Sequence, residues 1–194
     1  ALRERARLVF VCNPGNPTGE AIPAVAIKTL AERLRGKALL VVDAAYAEFA
    51  DTDDCVALLD ATDNVVILRT LSKAHALAAA RIGSVIAAPE VIAMLQRCQA
   101  PYPLAQPAVE AALSALAPDA LARTRRAAGQ VRDERERLRQ RLQGVAGVRR
   151  VYPSQGNFLL VRFRDAQAAF DALLAAGIVV RDMRATPGLQ DALR

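Results

Sequence analysis

Only three of the 26 basic residues in this 194-residue chain are lysines: Lys28, Lys37 and Lys73. Lys73 closes the stretch Thr70-Leu71-Ser72-Lys73, directly after the apolar run Val65-Val66-Ile67-Leu68, and Arg81 follows across small residues. A lysine amine forms a stable imine with an aldehyde, provided it is partly desolvated near neutral pH. Hydroxyls grouped with a guanidinium suit a phosphate. An aldehyde and a phosphate on one molecule describe pyridoxal phosphate.

Two further polar clusters follow apolar runs. Asn13-Pro14-Gly15-Asn16-Pro17-Thr18-Gly19 comes after Leu8 to Cys12, and Asp43 with Tyr46 comes after Leu39 to Val42. Singly, each has a plain structural reading: a turn, a cap, a half-buried aromatic. Their joint placement carries the weight. Bare apolar strands at 8–12, 39–42, 65–68 and 84–87 alternate with helical spacing. This predicts an α/β fold, a mainly parallel sheet covered by helices on both faces. In such sheets ligands bind beyond the carboxyl ends of the strands.

The elements that must position these groups can be read in turn. Val25, Ile27, Leu30 and Leu34 give a helix over 23–35, closed by Gly36. Helices are predicted over 89–99 and 106–117. A long helix runs from a cap at Asp119 to Gln143, with the stripe Leu121, Ala128, Val131, Leu138 and Leu142. Strands at 148–152 and 157–163, a helix over 165–176 ended by Gly177, and a last strand at 178–180 complete the pattern. The implied organisation is a large-domain portion over 1–118, a bridging helix over 119–145, and a smaller α+β domain, incomplete, over 146–194.

Hydrophobic residues make up 53% of the chain, which excludes a disordered protein. No apolar run reaches membrane-spanning length, and no membrane role is expected. Cys12, Cys55 and Cys98 have neither metal nor redox spacing, so no metal site is expected. They read as buried small hydrophobes in a reducing, cytoplasmic setting. The net charge of +6 is concentrated between Arg123 and Arg150, where Asp133, Glu134 and Glu136 are interleaved. That is the pattern of a solvated helix face with internal ion pairs, and no nucleic-acid partner is expected. The chain lacks an initiator methionine and ends abruptly, as part of a longer protein would.

Taken together, Asn13-Pro14-x-Asn16-Pro17-Thr18-Gly19, Asp43-x-x-Tyr46 and Ser72-Lys73 followed by Arg81 resemble the fold-type I, class I/II aminotransferases. Asp43-Ala-Ala-Tyr46-Ala-Glu48-Phe49, Arg69-Thr70-Leu71-Ser72-Lys73-Ala74, Ala100-Pro101-Tyr102-Pro103-Leu104 and Gly177-Ile178-Val179-Val180-Arg181-Asp182 are similar to the histidinol-phosphate branch of that family. The resemblance implies a homodimeric transaminase that uses pyridoxal 5'-phosphate, a small-molecule amino donor and a 2-oxo acid. It makes Lys73 the catalytic residue and cofactor anchor, and Asp43 the partner of the pyridine nitrogen. Tyr46 and Asn16 become donors to the ring's phenolic oxygen. Thr70, Ser72 and Arg81 hold the phosphate. Arg194 and Arg181 bind the acidic groups of the substrates, with Asn157 and Tyr102 as further substrate contacts.

The chain departs from the family at Ala44, where an acidic residue is usual, and at His75, Ala79 and Ala80. His75 has no catalytic role in this reading, because Lys73 already supplies the base. The family's phosphate-binding helix start and the aromatic that stacks on the ring would precede Ala1. Two alternatives stay open: a related decarboxylase of a phosphorylated amino acid, and a truncated aminotransferase fragment without activity.

Overall fold

The computed structural model describes residues 6–51 and 55–194. Strands β1 (Leu8–Cys12), β2 (Leu39–Asp43), β3 (Val65–Thr70) and β4 (Gly83–Ala87) form one sheet in that spatial order. β1, β2 and β3 run parallel; β4 returns antiparallel along β3 as the second arm of a hairpin. Burial on both faces accounts for the bare apolar runs of β2 and the first half of β3; the edge strands β1 and β4 are only partly covered. On one face, Ile27, Ala31 and Leu34 of helix α1 (Ala24–Leu34) pack on Leu40, Val42, Val65 and Ile67. Their spacing in α1 puts all three on one stripe. On the other face, Val91 of helix α2 (Pro89–Cys98) packs on Val41 and Val66. α2 does not reach β1, where Phe10 on that face stays 65% exposed.

Helices α3 (Gln106–Ala115) and α4 (Pro118–Gln143) lead to a second sheet. It is antiparallel and made of β5 (Val148–Val151), β6 (Val161–Phe163) and β7 (Ala192–Leu193). Leu142 of α4 packs with Val148, Val151, Leu159, Val161 and Phe163 to form its core. Helix α5 (Ala166–Ala175) is capped by Asp165, whose carboxylate accepts from Ala168 N at 2.9 Å.

Several expectations are corrected. Asp119 does not cap the long helix: Pro118 takes the first turn, Ala117 is the cap residue, and Asp119 lies inside the helix. There its charge still favours the N-terminal end of the dipole. Leu138, placed on the apolar stripe, is half-exposed. The strand expected at 157–163 begins only at Val161, because the preceding loop turns towards the first sheet. Residues 178–180 form no strand; the last strand is Ala192–Leu193. Cys12 and Cys98 are exposed, and only Cys55 is buried. Within α4, Arg137 pairs with Glu134 and Arg139 with Glu136, as the charge pattern predicted.

Ile67 is fully buried on a central strand, so Ile67→Ala removes a large apolar group from a site that cannot collapse freely. It is expected to cost about 2–5 kcal/mol of stability, read from the denaturation midpoint; an unchanged midpoint would place the core elsewhere.

Candidate active site

The parallel register sets Cys12 beside Asp43 and Asp43 beside Leu68, so three strands end at one rim of the sheet. Residues paired across a sheet share a face, and alternate residues along a strand share it too. Cys12, Asp43 and Thr70 therefore stand on the face opposite α1. The Asp43 carboxylate accepts from Ala45 N at 3.1 Å, which fixes its direction. Partial burial and the neighbouring Asp43 carboxylate push the Cys12 thiol above its ordinary pKa.

Past β3 the chain makes the loop that carries Lys73. Thr70 Oγ1 lies 2.9 Å from Ser72 Oγ and accepts from Ser72 N at 3.1 Å. Leu71 N donates to Ile82 O, and Leu77 N to Leu71 O, tying the loop to its own base. Lys73 is exposed, with Nζ 5.4 Å from the centre of the Tyr46 ring. Arg81 adopts a left-handed backbone (φ 55°), and its Nη1 donates to Ala78 O at 2.8 Å.

From Tyr46 the contacts run on into the C-terminal part of the chain. Tyr46 meets Phe158 edge to face, with ring centres 5.1 Å apart. The Arg194 guanidinium lies 4.9 Å from the Phe158 ring centre, and its Nη1 donates to Asn16 Oδ1 at 2.7 Å. Arg194 and Arg181 exchange both main-chain hydrogen bonds, at 2.8 and 2.9 Å. A pair bonded in this way is directly opposite and on one face.

Of the sequence-predicted site residues, Lys73, Tyr46, Arg194 and Asn16 are thus linked in one series of contacts. Arg181 is placed beside Arg194, and Asp43, Thr70 and Ser72 stand at the strand ends. Three are not brought in. Arg81 is exposed and its guanidinium is turned to Ala78 O of its own loop. Tyr102 is 96% exposed. Asn157 is exposed and lines a groove of about 310 Å³ along α4, together with Val131, Arg135 and Leu138.

Phe158 was missed, although it joins the two halves of the site. Its one signal was Gly156: a Cβ there would approach the Phe158 ring to 2.8 Å, so only glycine leaves the ring its place. Gly19 acts similarly, having φ +77° and no room for a side chain against Ser154. Among the described residues no group of three or more His, Cys, Asp or Glu could hold a metal.

The family model for aminotransferases of class I and II matches residues 1–194, and the chain belongs to that family. It is 60% identical over 194 residues to a histidinol-phosphate aminotransferase of Xanthomonas campestris pv. campestris, covering 100% of this chain and 54% of the relative. It is 59% identical to the corresponding Xylella fastidiosa protein, covering 53% of that relative. The chain therefore spans about half the length of the relatives it matches. Among solved structures, the histidinol-phosphate aminotransferase of Sinorhizobium meliloti, in complex with pyridoxal-5'-phosphate, superposes with a TM-score of 0.85 at 31% identity. The match covers 99% of this chain and 53% of that one. A decarboxylase from Sulfurospirillum multivorans gives 0.85 at 27% identity, covering 99% and 57%.

The Cys12–Asp43 pair offers a direct check on the strand register. Asp43→Asn removes the carboxylate but not the burial, so the Cys12 thiol pKa is expected to fall. The pH profile of iodoacetamide labelling at Cys12 should shift to lower pH. A profile that does not move would mean that the two side chains are not neighbours.

Proposed function

We propose that this chain carries the cofactor anchor and the acid-binding arginines of a pyridoxal-phosphate-dependent transaminase. Its amino donor is histidinol phosphate and its acceptor 2-oxoglutarate, placing it in histidine biosynthesis. The observation that carries the reading is the series Lys73–Tyr46–Phe158–Arg194–Asn16, closed at the carboxyl ends of three strands. The residues fit the cofactor chemically: a lysine amine near an aromatic ring, a carboxylate at the end of β2, and two hydroxyls 2.9 Å apart after β3. The identity of 60% to the Xanthomonas transaminase, against 27% to the structurally similar decarboxylase, favours transamination over decarboxylation.

Bound there, pyridoxal phosphate supplies an electron sink for the carbon that bears the amino group. The chain's own residues do the rest. Lys73 Nζ would anchor the cofactor, and its amine would carry a proton to and from the substrate carbon, which requires it neutral. Asp43 keeps the ring nitrogen protonated. Arg194 donates to Asn16 Oδ1, which leaves Asn16 Nδ2 as the donor towards the ring's phenolic oxygen, beside the Tyr46 hydroxyl. Thr70, Ser72 and Arg81 would hold the phosphate, Arg81 through guanidinium hydrogens not used by its bond to Ala78 O. Arg181 and Arg194 present two cations on one face. Like charges directly opposite are unfavourable, and an acidic substrate group between them relieves that.

In this reading residues 1–118 belong to the cofactor-binding domain. The bridging helix, residues 119–145, leads to a small α+β domain over 146–194, supported by its separate sheet and core. The functional unit is a homodimer in the cytoplasm. The exposed Leu8 and Phe10 on the edge strand β1 support a covering partner, and the exposed thiols of Cys12 and Cys98 fit a reducing compartment. No helix among the described residues is long and apolar enough to cross a membrane.

Borohydride reduction of the cofactor-loaded protein, followed by peptide mapping, is expected to place the label on Lys73 and to lose it in Lys73→Ala. Label on another residue ends the assignment. Arg81→Lys loses the bidentate fork. Cofactor affinity is expected to drop about tenfold or more, the worth of one charge-assisted hydrogen bond, measured by equilibrium titration. The product decides between the two chemistries: a 2-oxo acid converted to its amino acid supports transamination, and released carbon dioxide supports the decarboxylase.

A further inference from the structure

We infer that Arg135, on α4, is a positioning residue for substrate binding: it fixes the spacing between the segment that holds Tyr46 and the segment that holds Phe158 and, through that ring, Arg194. The inference rests on the transaminase reading of the site. Arg135 stands apart from its neighbours on the same helix, with a side chain 9% exposed where that of Arg137 is 63% exposed. Its main acceptors are not carboxylates. Nη1 donates to Phe49 O at 3.0 Å and to Gly156 O at 2.9 Å, using both of its hydrogens. Phe49 ends the 3₁₀ turn Ala47–Phe49 that Tyr46 caps. Gly156 lies two residues before Phe158. One nitrogen atom thus bridges the main chains of two segments 107 positions apart in sequence, Phe49 to Gly156.

A main-chain carbonyl cannot move to meet its donor as a flexible side chain can, so this geometry sets a distance rather than merely adding attraction. The Tyr46–Phe158 contact at 5.1 Å and the Phe158–Arg194 contact at 4.9 Å lie directly downstream of it. A second, more exposed clasp holds the same two segments. Gln155 Nε2 donates to Asp51 Oδ2 and Asp51 N donates to Gln155 Oε1, both at 2.7 Å. Arg132 Nη1 adds a bond to Ala50 O at 2.9 Å. Asp51 Oδ1 lies 3.8 Å from Arg135 Nη2 and joins the two clasps. Burial lowers the Arg135 pKa, against the favourable charge of Asp51. Such burial is tolerated only where the guanidinium's hydrogens find acceptors.

The test is a double-substitution cycle in the cofactor-loaded full chain. Arg135→Gln removes the two-carbonyl bridge. It is expected to raise KM for the amino donor about tenfold while kcat changes much less, as loss of ground-state positioning does. In an Arg194→Ala background the same substitution is expected to leave KM within about twofold, because the group it positions is gone. A merely structural role would lower the melting temperature and leave KM effects additive, and additive KM effects overturn the inference. Arg135→Lys, which keeps the cation but not the planar fork, is expected to restore only part of the KM. Should Arg135→Gln fail to fold, the Asp51→Ala/Gln155→Ala protein is run through the same cycle with the same criterion. Failure of the underlying reading is seen separately: an unsubstituted protein that forms no borohydride-trappable link at Lys73 overturns the site itself. A normal link with additive KM effects overturns the role of Arg135 alone.

Discussion

Cys12, Asp43 and Thr70 reach one rim because three apolar strands run parallel with their register fixed from both faces. A one-residue slip of β2 would carry Leu40 and Val42 out of the α1 core and turn Asp43 towards it. Leu39 and Val41 would take their places, so the main cost of that slip is a carboxylate buried without a partner. The position of the carboxylate is thus enforced by residues with no chemistry of their own. Thr70 and its loop inherit the same enforcement through β3, and the β3–β4 hairpin holds the loop's far end by pairing Thr70 with Gly83.

That rim supplies only half of the site. Arg194 is 178 residues from Asn16 in sequence, yet donates to it. What makes the approach possible is a loop in place of the first part of an expected strand: Ser154 to Phe158 leaves the second sheet and lies against the first. Ser154 packs on Gly19, Gln155 N donates to Gly19 O, and Phe158 fills the space between Tyr46 and Arg194. Both glycines clear volume for this contact, and Gly19 also supplies a left-handed backbone. Gly19 permits a left-handed turn against Ser154, and Gly156 clears the volume that the Phe158 ring needs.

These features were unequally legible in the sequence. The four strands of the first sheet announce themselves as apolar runs, and α1 by spacing, all within a residue or two; full burial on both faces holds only for β2 and the start of β3, since β1 and β4 are edges. Residues 178–180 have equally strong β character but no neighbouring strand to pair with, and Val179 is 84% exposed. Propensity there had no tertiary contact to act on. Ala192–Leu193 shows the reverse, a strand made by its pairing with β6 rather than by its composition. Cysteine's general preference for burial misled at Cys12, which lies on an edge strand, and at Cys98, which ends a partly solvated helix. The chemistry-bearing residues were found because their types are rare and their local spacing is tight. Phe158 and Arg135 act through contacts far apart in sequence; Gly156 is the one local mark of Phe158, and nothing local distinguishes Arg135 from the other arginines of α4.

The arginines make the same point about charge. A net charge of +6 suggests a basic surface, but the guanidiniums divide by partner. Arg137 and Arg139 are spent on glutamates one turn away in α4. Arg149 and Arg162 converge on Asp191 in the second sheet, and Arg162 also donates to the Tyr152 hydroxyl. Arg132 and Arg135 are spent on main-chain carbonyls. Such pairings leave those cations little capacity for a polyanion, whose binding depends on many unpaired ones. Arg181 and Arg194 are different. Their main chains are bonded to each other, their cations share a face, and Arg194 has a neutral amide and an aromatic face for company instead of a carboxylate. A neutral setting of this kind leaves the Arg194 charge without a carboxylate partner, as the proposed acid-binding role requires. Part of the chain's basic character is thus internal bracing within α4, across the second sheet and onto main-chain carbonyls.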